Sequence, residues 1–175
     1  MSFSYPEVGA TAELGSPHLR RELSSRRYDV DHHAFALGRG RALYERARAA
    51  LLAWRQFEIP WLHFHGSGPV ASDQVVATSI RIAGVWFVNP CRVVYRELAD
   101  RDSVAYAYGT LLGHAECGEE RFRVSFDAAS DEVRYEIAAF SRPALALSRI
   151  GYPIARRIQR RFAASSAEAL MRAAA

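Results

Sequence analysis

Fifteen consecutive residues, YGTLLGHAECGEERF at 108–122, bring together one histidine, three glutamates and one cysteine between two segments with strand periodicity. The acid/base candidates are His114, Glu116, Glu119 and Glu120. An imidazole beside a carboxylate can be held in one tautomer and can exchange a proton near neutral pH. We therefore predict a general acid/base site in which His114 works with one of these three glutamates.

Glu119 and Glu120 are neighbours in a segment with strand periodicity, so their side chains point to opposite faces of the strand. Only one of them can therefore share a site with His114. An alternative use of the glutamates is ion pairing with arginines on neighbouring strands, which is a common cross-strand arrangement. The arginines available for it are Arg121, Arg123 and Arg134.

Other reactive side chains give weaker patterns. Cys91 and Cys117 lack the spacing of a metal-binding pair, and free structural thiols are the simpler interpretation. His63 and His65 share one face of an extended segment, but a zinc site needs three or four converging ligands. We therefore predict no metal site and no cofactor. The 23 basic residues include no lysine, which excludes Schiff-base chemistry and a P-loop lysine.

The composition is that of a globular protein with one basic segment. Half of the 175 residues are hydrophobic, 24% are charged and the net charge is +4. The segment RRIQRR at 156–161 could contact anionic lipid or nucleic acid, but it lacks the interleaved aromatic residues that stack on bases. We expect a solvated helix face and no nucleic-acid partner. No apolar run reaches the roughly 20 residues that span a bilayer, and we recognise no secretory signal, so we predict a cytoplasmic protein without a transmembrane segment.

The elements that must position these residues follow from hydrophobic periodicity. Residues 1–27 have no sustained period and are predicted to form an irregular arm before a single domain at 28–175. An apolar stripe predicts a helix over 41–54, and a short helix after Pro143 is followed by a long one from Ile154 to about Ala174. Alternation predicts strands at 28–37, 74–82, 85–88, 91–98, 104–112, 118–127 and 132–140. Short turns between successive strands favour an antiparallel meander, so the fold class is α+β.

This order of strand, helix, meander and long final helix resembles the helix-grip superfamily of START-like and polyketide-cyclase-like proteins. A closer resemblance is carried by the motifs YPEVGAT at 5–11, LGRG at 37–40, NPCRVVY at 89–95, YGTLLGHAECGEERF at 108–122 and FSRPA at 140–144. Together they are similar to a widespread family that is catalogued only as a domain of unknown function. The superfamily resemblance implies a curved antiparallel sheet wrapped around the final helix. The family resemblance brings no established catalytic residues.

A sheet curled around a helix tends to leave a cavity, and the helix-grip resemblance implies one for a hydrophobic or aromatic small molecule. The alternative is simple core packing of the strand aromatics. Arg142 could steady a carboxylate or enolate of the ligand, or pair with a carboxylate of the sheet. The residues that we expect to bind the ligand are Trp86, Tyr95, Tyr106, Tyr108, Thr110, Phe122, Tyr135 and Arg142.

Three functions fit these patterns. The first is a cavity protein that catalyses cofactor-free cyclisation, dehydration or isomerisation of its ligand, with His114 and one glutamate moving protons. The second is a non-catalytic module that binds a small molecule or lipid in the same cavity. The third is an interaction protein that works through its arginine-rich C-terminal helix. The sequence leaves the oligomeric state open.

Overall fold

The fold is given by a computed structural model that describes residues 2–82, 84–98, 100–144 and 152–175, with the side chains of the last range described from residue 156. In this part of the chain seven strands form one antiparallel sheet with the order β1-β7-β6-β5-β4-β3-β2. The strands are β1 (Asp29–Arg39), β2 (Leu62–His65), β3 (Val75–Ile82), β4 (Val85–Glu97), β5 (Ser103–Thr110), β6 (Glu116–Asp127) and β7 (Glu132–Pro143). The chain follows the meander from β2 to β7, and β1 joins the far edge beside β7.

Three α-helices accompany the sheet in the described residues. They are α1 (Pro17–Ser25), α2 (Arg41–Leu52) and α3 (Tyr152–Ala174), and short 3-10 turns occupy Ala10–Glu13 and Arg55–Phe57. With 23 residues, α3 is roughly 35 Å long and can cross the whole sheet. No helix among the described residues is both long enough and apolar enough to cross a membrane.

The concave face of the sheet holds the main core. Alternate residues of β5, β6 and β7 point towards α2 and α3, and Tyr106, Phe122 and Tyr135 among them are fully buried. The hydroxyls of two of these aromatics are paired inside the core. Tyr106 accepts from the amide of Gln56, and Tyr135 shares a hydrogen bond of 2.8 Å with Ser166 of α3. The core is therefore a packed aromatic layer in which the hydroxyls of Tyr106 and Tyr135 are hydrogen-bonded.

The N-terminal arm covers the part of the convex face around Phe140. Tyr5, Leu23 and Tyr28 pack with Phe140 of β7 in a second buried cluster, separate from the main core. Two of these contacts are edge-to-face: the ring centroids of Tyr5 and Tyr28 lie 5.6 and 5.1 Å from that of Phe140. The arm therefore packs on the outside of the sheet, away from α3.

The predicted helix-grip architecture is confirmed, with several local corrections. The arm is not irregular throughout, because it contains α1. The segment 62–65, which the sequence analysis left unassigned, forms the edge strand β2. The strands predicted at 85–88 and 91–98 are one strand. Pro90 lies inside this strand, where it has no N–H to donate. Its carbonyl accepts a hydrogen bond of 3.0 Å from Leu111 N–H, just beyond the end of β5, so the missing donor lies at the end of the β4–β5 ladder and interrupts no pair within it.

The end of the sheet also differs from the prediction. Strand β7 runs three residues further than the predicted boundary at 140, because Ser141, Arg142 and Pro143 continue the ladder with β6. The short helix predicted after Pro143 falls mainly on residues 145–151, which lie outside the described residues.

Candidate functional site

A cavity of about 600 Å³ lies between the concave face and the N-terminal half of α3. One part of its wall is apolar and includes Phe57, Trp61, Ile80, Phe87 and Phe162. Another part carries polar side chains from β1, the β5–β6 turn, β6 and α3, among them Asp31, His114, Glu116, Glu120 and Gln159. Volume and mixed polarity are typical of a site for a small molecule with one apolar and one polar end.

Strand register explains where the polar part lies. Asp31, Ala139, Glu120 and Tyr108 form one row across β1, β7, β6 and β5 on the concave face. The neighbouring row towards the core holds Ile137, Phe122 and Tyr106, whose side chains fill the space above the sheet. In the row of Asp31, Glu120 and Tyr108, the side chain of Ala139 is only a methyl group. The cavity therefore extends down to the sheet at Ala139. Neighbouring strands are about 4.8 Å apart, which places Asp31 and Glu120 roughly 10 Å from each other.

Glu120 is the most perturbed carboxyl group in the cavity. Burial raises its pKa to about 7, and the charges of Glu116 and Asp31 act in the same direction. The Tyr108 hydroxyl donates a hydrogen bond of 2.7 Å to Oε2 of Glu120, which partly offsets the rise in pKa. Burial also raises the pKa of Tyr108 well above its usual value, so that this hydroxyl stays protonated. Glu120 can therefore exist as acid or carboxylate near neutral pH.

Glu116 belongs to a hydrogen-bonded network that fastens α3 to the sheet. Gln159 of α3 donates to Glu116 at 2.6 Å, and its carbonyl oxygen accepts from Arg156 at 2.8 Å. Arg156 also donates to both carboxylate oxygens of Asp31, at 2.5 and 2.6 Å. Burial raises the pKa of Glu116, against the hydrogen bonds from Gln159 and Ser141. The network links β6, α3 and β1 around the cavity.

His114 lies in the β5–β6 turn with its ring on the cavity wall. Burial lowers its pKa to about 4, so the ring is neutral at neutral pH. Its Nδ1 accepts a hydrogen bond of 2.9 Å from the backbone N–H of Glu116, which leaves the ring proton on Nε2. The ring can therefore donate one hydrogen bond into the cavity, while its acceptor nitrogen is occupied.

Glu119 borders the cavity, but its carboxylate turns to the N-terminal arm on the convex face. One oxygen accepts from the Tyr5 hydroxyl and from Gly9 N–H, both at 2.7 Å. The other accepts from Thr11 N–H at 3.0 Å and from the Thr11 hydroxyl. The side chain is 3% exposed. Of the four residues predicted to form the acid/base site, His114, Glu116 and Glu120 thus have side chains at the polar part of the cavity, while Glu119 anchors the arm.

The residues predicted to bind a ligand divide into three groups. Trp86, Tyr108 and Thr110 border the cavity, but the Trp86 ring lies on the convex face beside His63, and the Thr110 hydroxyl is already bonded to Ser4 and to the backbone of Gly118. A second group lies in the packed core beneath the cavity: Tyr106, Phe122 and Tyr135.

Tyr95 and Arg142 form the third group and lie on the convex face. The Tyr95 hydroxyl is 2.8 Å from that of Thr11 in the arm. The guanidinium of Arg142 lies 4.5 Å from the ring centre of Tyr28 and donates to the carbonyl of Arg26. Their side chains are therefore bonded to the arm rather than placed in the cavity.

The arginines proposed as cross-strand partners of Glu116, Glu119 and Glu120 form ion pairs with other glutamates. Ion pairs join Arg121 to Glu97, Arg123 to Glu136 and Arg134 to Glu132. Glu116, Glu119 and Glu120 instead receive hydrogen bonds from an amide, from the arm and from Tyr108. Among the described residues, no group of three or more His, Cys, Asp or Glu side chains could hold a metal ion.

Sequence reasoning missed Asp31, His33 and Gln159 as members of the cavity wall. Asp31 and His33 share the inward face of β1 with Phe35 and Leu37, so two polar residues on an otherwise apolar face were a readable pattern. Gln159 has no such pattern, because its partners on β6 and β7 are distant in sequence.

Sheet, final helix and cavity define a protein of the helix-grip class. The fold is similar to that of the Zhui aromatase/cyclase from Streptomyces sp. R1128, with a TM-score of 0.63 and 14% identity over 84% of this chain and 93% of that one. It is also similar to norcoclaurine synthase from Thalictrum flavum, with a TM-score of 0.57 and 11% identity over 84% of this chain and 94% of that one. At these identities the likeness concerns the fold alone.

Sequence comparison then gives the family. Residues 4–169 match the family described as domain of unknown function DUF1990. A UPF0548 protein from Dictyostelium discoideum is 34% identical over 157 residues, covering 83% of this chain and 73% of the relative. One from Deinococcus radiodurans is 33% identical over 183 residues, covering 98% of this chain and 87% of the relative. The chain belongs to this family, as its motifs predicted.

Proposed function

We propose that the cavity binds a small molecule with an aromatic or apolar body, and that Glu120 transfers protons on it without a cofactor. The observation that carries this proposal is a carboxyl group with a pKa of about 7 beside a cavity of about 600 Å³. General acid/base catalysis is most effective when the pKa of the group is near the working pH. The apolar part of the wall would hold the body of the ligand against Phe57, Trp61 and Phe162.

The roles of the polar residues follow from their hydrogen bonds. As a carboxylate, Glu120 accepts a proton from an acidic C–H of the ligand. As the acid, it returns that proton to another carbon in an isomerisation, or to a leaving hydroxyl that departs as water in a dehydration or a cyclisation. Tyr108 orients the carboxyl group through its bond to Oε2. The Nε2–H of His114 is placed to donate to a ligand oxygen on which negative charge develops.

A non-catalytic binding module is the second candidate. It is favoured by the network of Asp31, Arg156, Gln159 and Glu116, whose polar atoms bond mainly to one another. Such a network can shape a binding site without acting on the ligand. In that case Glu120 would contribute one hydrogen bond to the ligand.

The first experiment identifies the ligand and separates the two candidates. Native mass spectrometry of the protein purified from its own host should reveal a bound small organic molecule. That molecule is then incubated with the wild type and with Glu120→Gln. Conversion by the wild type that Glu120→Gln abolishes supports proton transfer by Glu120, whereas binding to both proteins without conversion supports the binding module.

A second pair of variants tests the cavity itself with a neutral fluorescent probe, N-phenyl-1-naphthylamine. Ala139→Met places a longer side chain between Asp31 and Glu120 and should weaken probe binding. Ala34→Met, on the exposed face of β1, is the matched control and should bind as the wild type does. If Ala139→Met and Ala34→Met bind the probe equally well, the cavity is not the site at which the probe binds.

A further inference from the structure

We propose that the tip of the β3–β4 hairpin docks onto an anionic lipid bilayer. Four consecutive residues of the tip are large, apolar and exposed to solvent: Val85 at 59%, Trp86 at 52%, Phe87 at 40% and Val88 at 57%. Single exposed apolar side chains are common on protein surfaces, but a contiguous run at one projecting site indicates a contact surface. This proposal goes beyond the cavity function and does not depend on it.

Both faces of the hairpin carry large apolar residues at the tip, although Trp86 and Val88 lie opposite Arg81 and Ser79 of β3. The concave face carries Val85 and Phe87, opposite Ile82 and Ile80 of β3, and the other face carries Trp86 and Val88. An antiparallel sheet that has one face in water normally alternates apolar with polar residues. A flat protein partner would cover one face only. An apolar medium that surrounds the tip accounts for both faces.

The charge around the tip identifies that medium as an anionic membrane surface. Residues 74–91, which contain β3 and the tip half of β4, include Arg81 and no acidic residue. Arg81 lies in the hairpin directly across from Trp86. Tryptophan and arginine side chains are favoured where a membrane meets water, because each joins an apolar part to a polar one.

Helix α3 adds a second basic surface next to this edge of the sheet. Arg157, Arg160 and Arg161 are three and four residues apart on one helix face and are exposed. The guanidinium of Arg161 lies 4.6 Å from the ring centre of Trp61, which precedes β2. Arg156 points the other way, to Asp31. The arginine face of α3 therefore adjoins the sheet edge that ends in the apolar tip.

The dimensions suit shallow insertion. The four tip residues of β4 extend roughly 10–13 Å along the strand, comparable to the 5–10 Å depth of segments that bind at the interface. Phe87 also lines the cavity, so a docked tip places this side of the cavity at the membrane surface.

Vesicle flotation of the whole protein tests the proposal. The probes are vesicles of phosphatidylcholine alone and of phosphatidylcholine mixed with phosphatidylglycerol. We expect binding to the mixed vesicles, about tenfold or more above binding to phosphatidylcholine, and a decline with added salt. Trp86→Ser combined with Phe87→Ser should lower binding about tenfold or more, because it removes most of the apolar contact. Both side chains are largely exposed, so thermal unfolding should confirm that the variant folds.

Two controls keep the test specific. Leu112→Ser removes an apolar side chain that is 70% exposed in the β5–β6 turn and should leave vesicle binding unchanged. Replacing Arg157, Arg160 and Arg161 with Gln should reduce binding to the vesicles that contain phosphatidylglycerol and should not change binding to vesicles of phosphatidylcholine alone. Failure to bind the mixed vesicles, or equal binding by the tip variant, would overturn the proposal. So would a dimer in sedimentation velocity that the tip variant abolishes, because the tip would then contact a second copy.

Discussion

The carboxylate of Glu119 should hold the N-terminal arm on the sheet, and Glu119→Gln tests this with almost no change in shape. The carboxylate accepts four hydrogen bonds from Tyr5, Gly9 and Thr11. A glutamine has one acceptor oxygen, so its NH₂ group faces one pair of these donors. Either Gly9 N–H or Thr11 N–H then loses its acceptor.

The size of the effect follows from that lost bond. A buried N–H without an acceptor costs about 1–3 kcal/mol, and the remaining bonds lose the assistance of a full charge, so the total is roughly 2–4 kcal/mol. For a domain of this size each kcal/mol lowers the melting temperature by about 2–4 °C. We therefore expect Glu119→Gln to melt roughly 4–16 °C below the wild type.

Urea unfolding gives the free energy, and hydrogen exchange of residues 4–11 reports whether the arm itself is released. Glu45→Gln is the matched control, since Glu45 is 53% exposed and its arginine partners lie at 3.9–4.0 Å. The Glu45→Gln variant should lose no more than about 1 kcal/mol of unfolding free energy. A Glu119→Gln variant as stable as Glu45→Gln, with unchanged exchange in the arm, would refute this account of Glu119.

Two further outcomes are expected. A Cβ at Gly109 would lie 1.9 Å from the Tyr5 hydroxyl, so Gly109→Ala should displace Tyr5 and lower the melting temperature, while Gly15→Ala, with nothing within 4 Å, should not. Burial lowers the pKa of His114 from 6.5 to about 4, so the folded state binds fewer protons than the unfolded state between these values. Its contribution to stability is therefore lost as the pH falls through that window, and His114→Gln should lose less stability there in pH-dependent urea unfolding.

Periodicity predicted the architecture because the sheet has one buried face. In β6, Phe122 and Val124 are core residues, and Glu120 shares their face by alternation. The same argument separated Glu120 from Glu119. It could not supply the partner of Glu119, because the arm that binds it is more than a hundred residues away in sequence.

The sequence also could not predict which residues of a strand lie in the packed core and which line the cavity. Tyr106 and Tyr108 are two residues apart on one face of β5, yet one is packed in the core and the other lines the cavity. The difference arises from the neighbouring strands. The row of Tyr106 is filled by Phe122, whereas the row of Tyr108 contains Ala139. Which aromatic residue meets a ligand is therefore decided by register and side-chain size across the sheet.

Because β6 presents Glu119 and Glu120 to opposite faces, substituting the two neighbours should change stability in opposite directions. Burial raises the pKa of Glu120 from 4.5 to about 7, so the folded state binds more protons than the unfolded state between these values. Ionised Glu120 therefore destabilises the fold above pH 7 by up to about 3 kcal/mol, and this penalty disappears below pH 4.5.

Glu120→Gln removes the ionisable group while its oxygen can still accept from Tyr108. We expect the variant to unfold at higher urea than the wild type at pH 8 and at nearly the same urea at pH 4.5. Urea titrations of Glu120→Gln and Glu119→Gln at the two pH values measure whether each substitution raises or lowers the free energy of unfolding. A Glu120→Gln variant that loses stability at pH 8 would mean that the carboxylate is stabilised in the cavity, and the assignment of Glu120 as a group that exchanges protons near neutral pH would be wrong. A gain at pH 8 would indicate that the fold keeps Glu120 at a cost in stability, as expected of a residue retained for function.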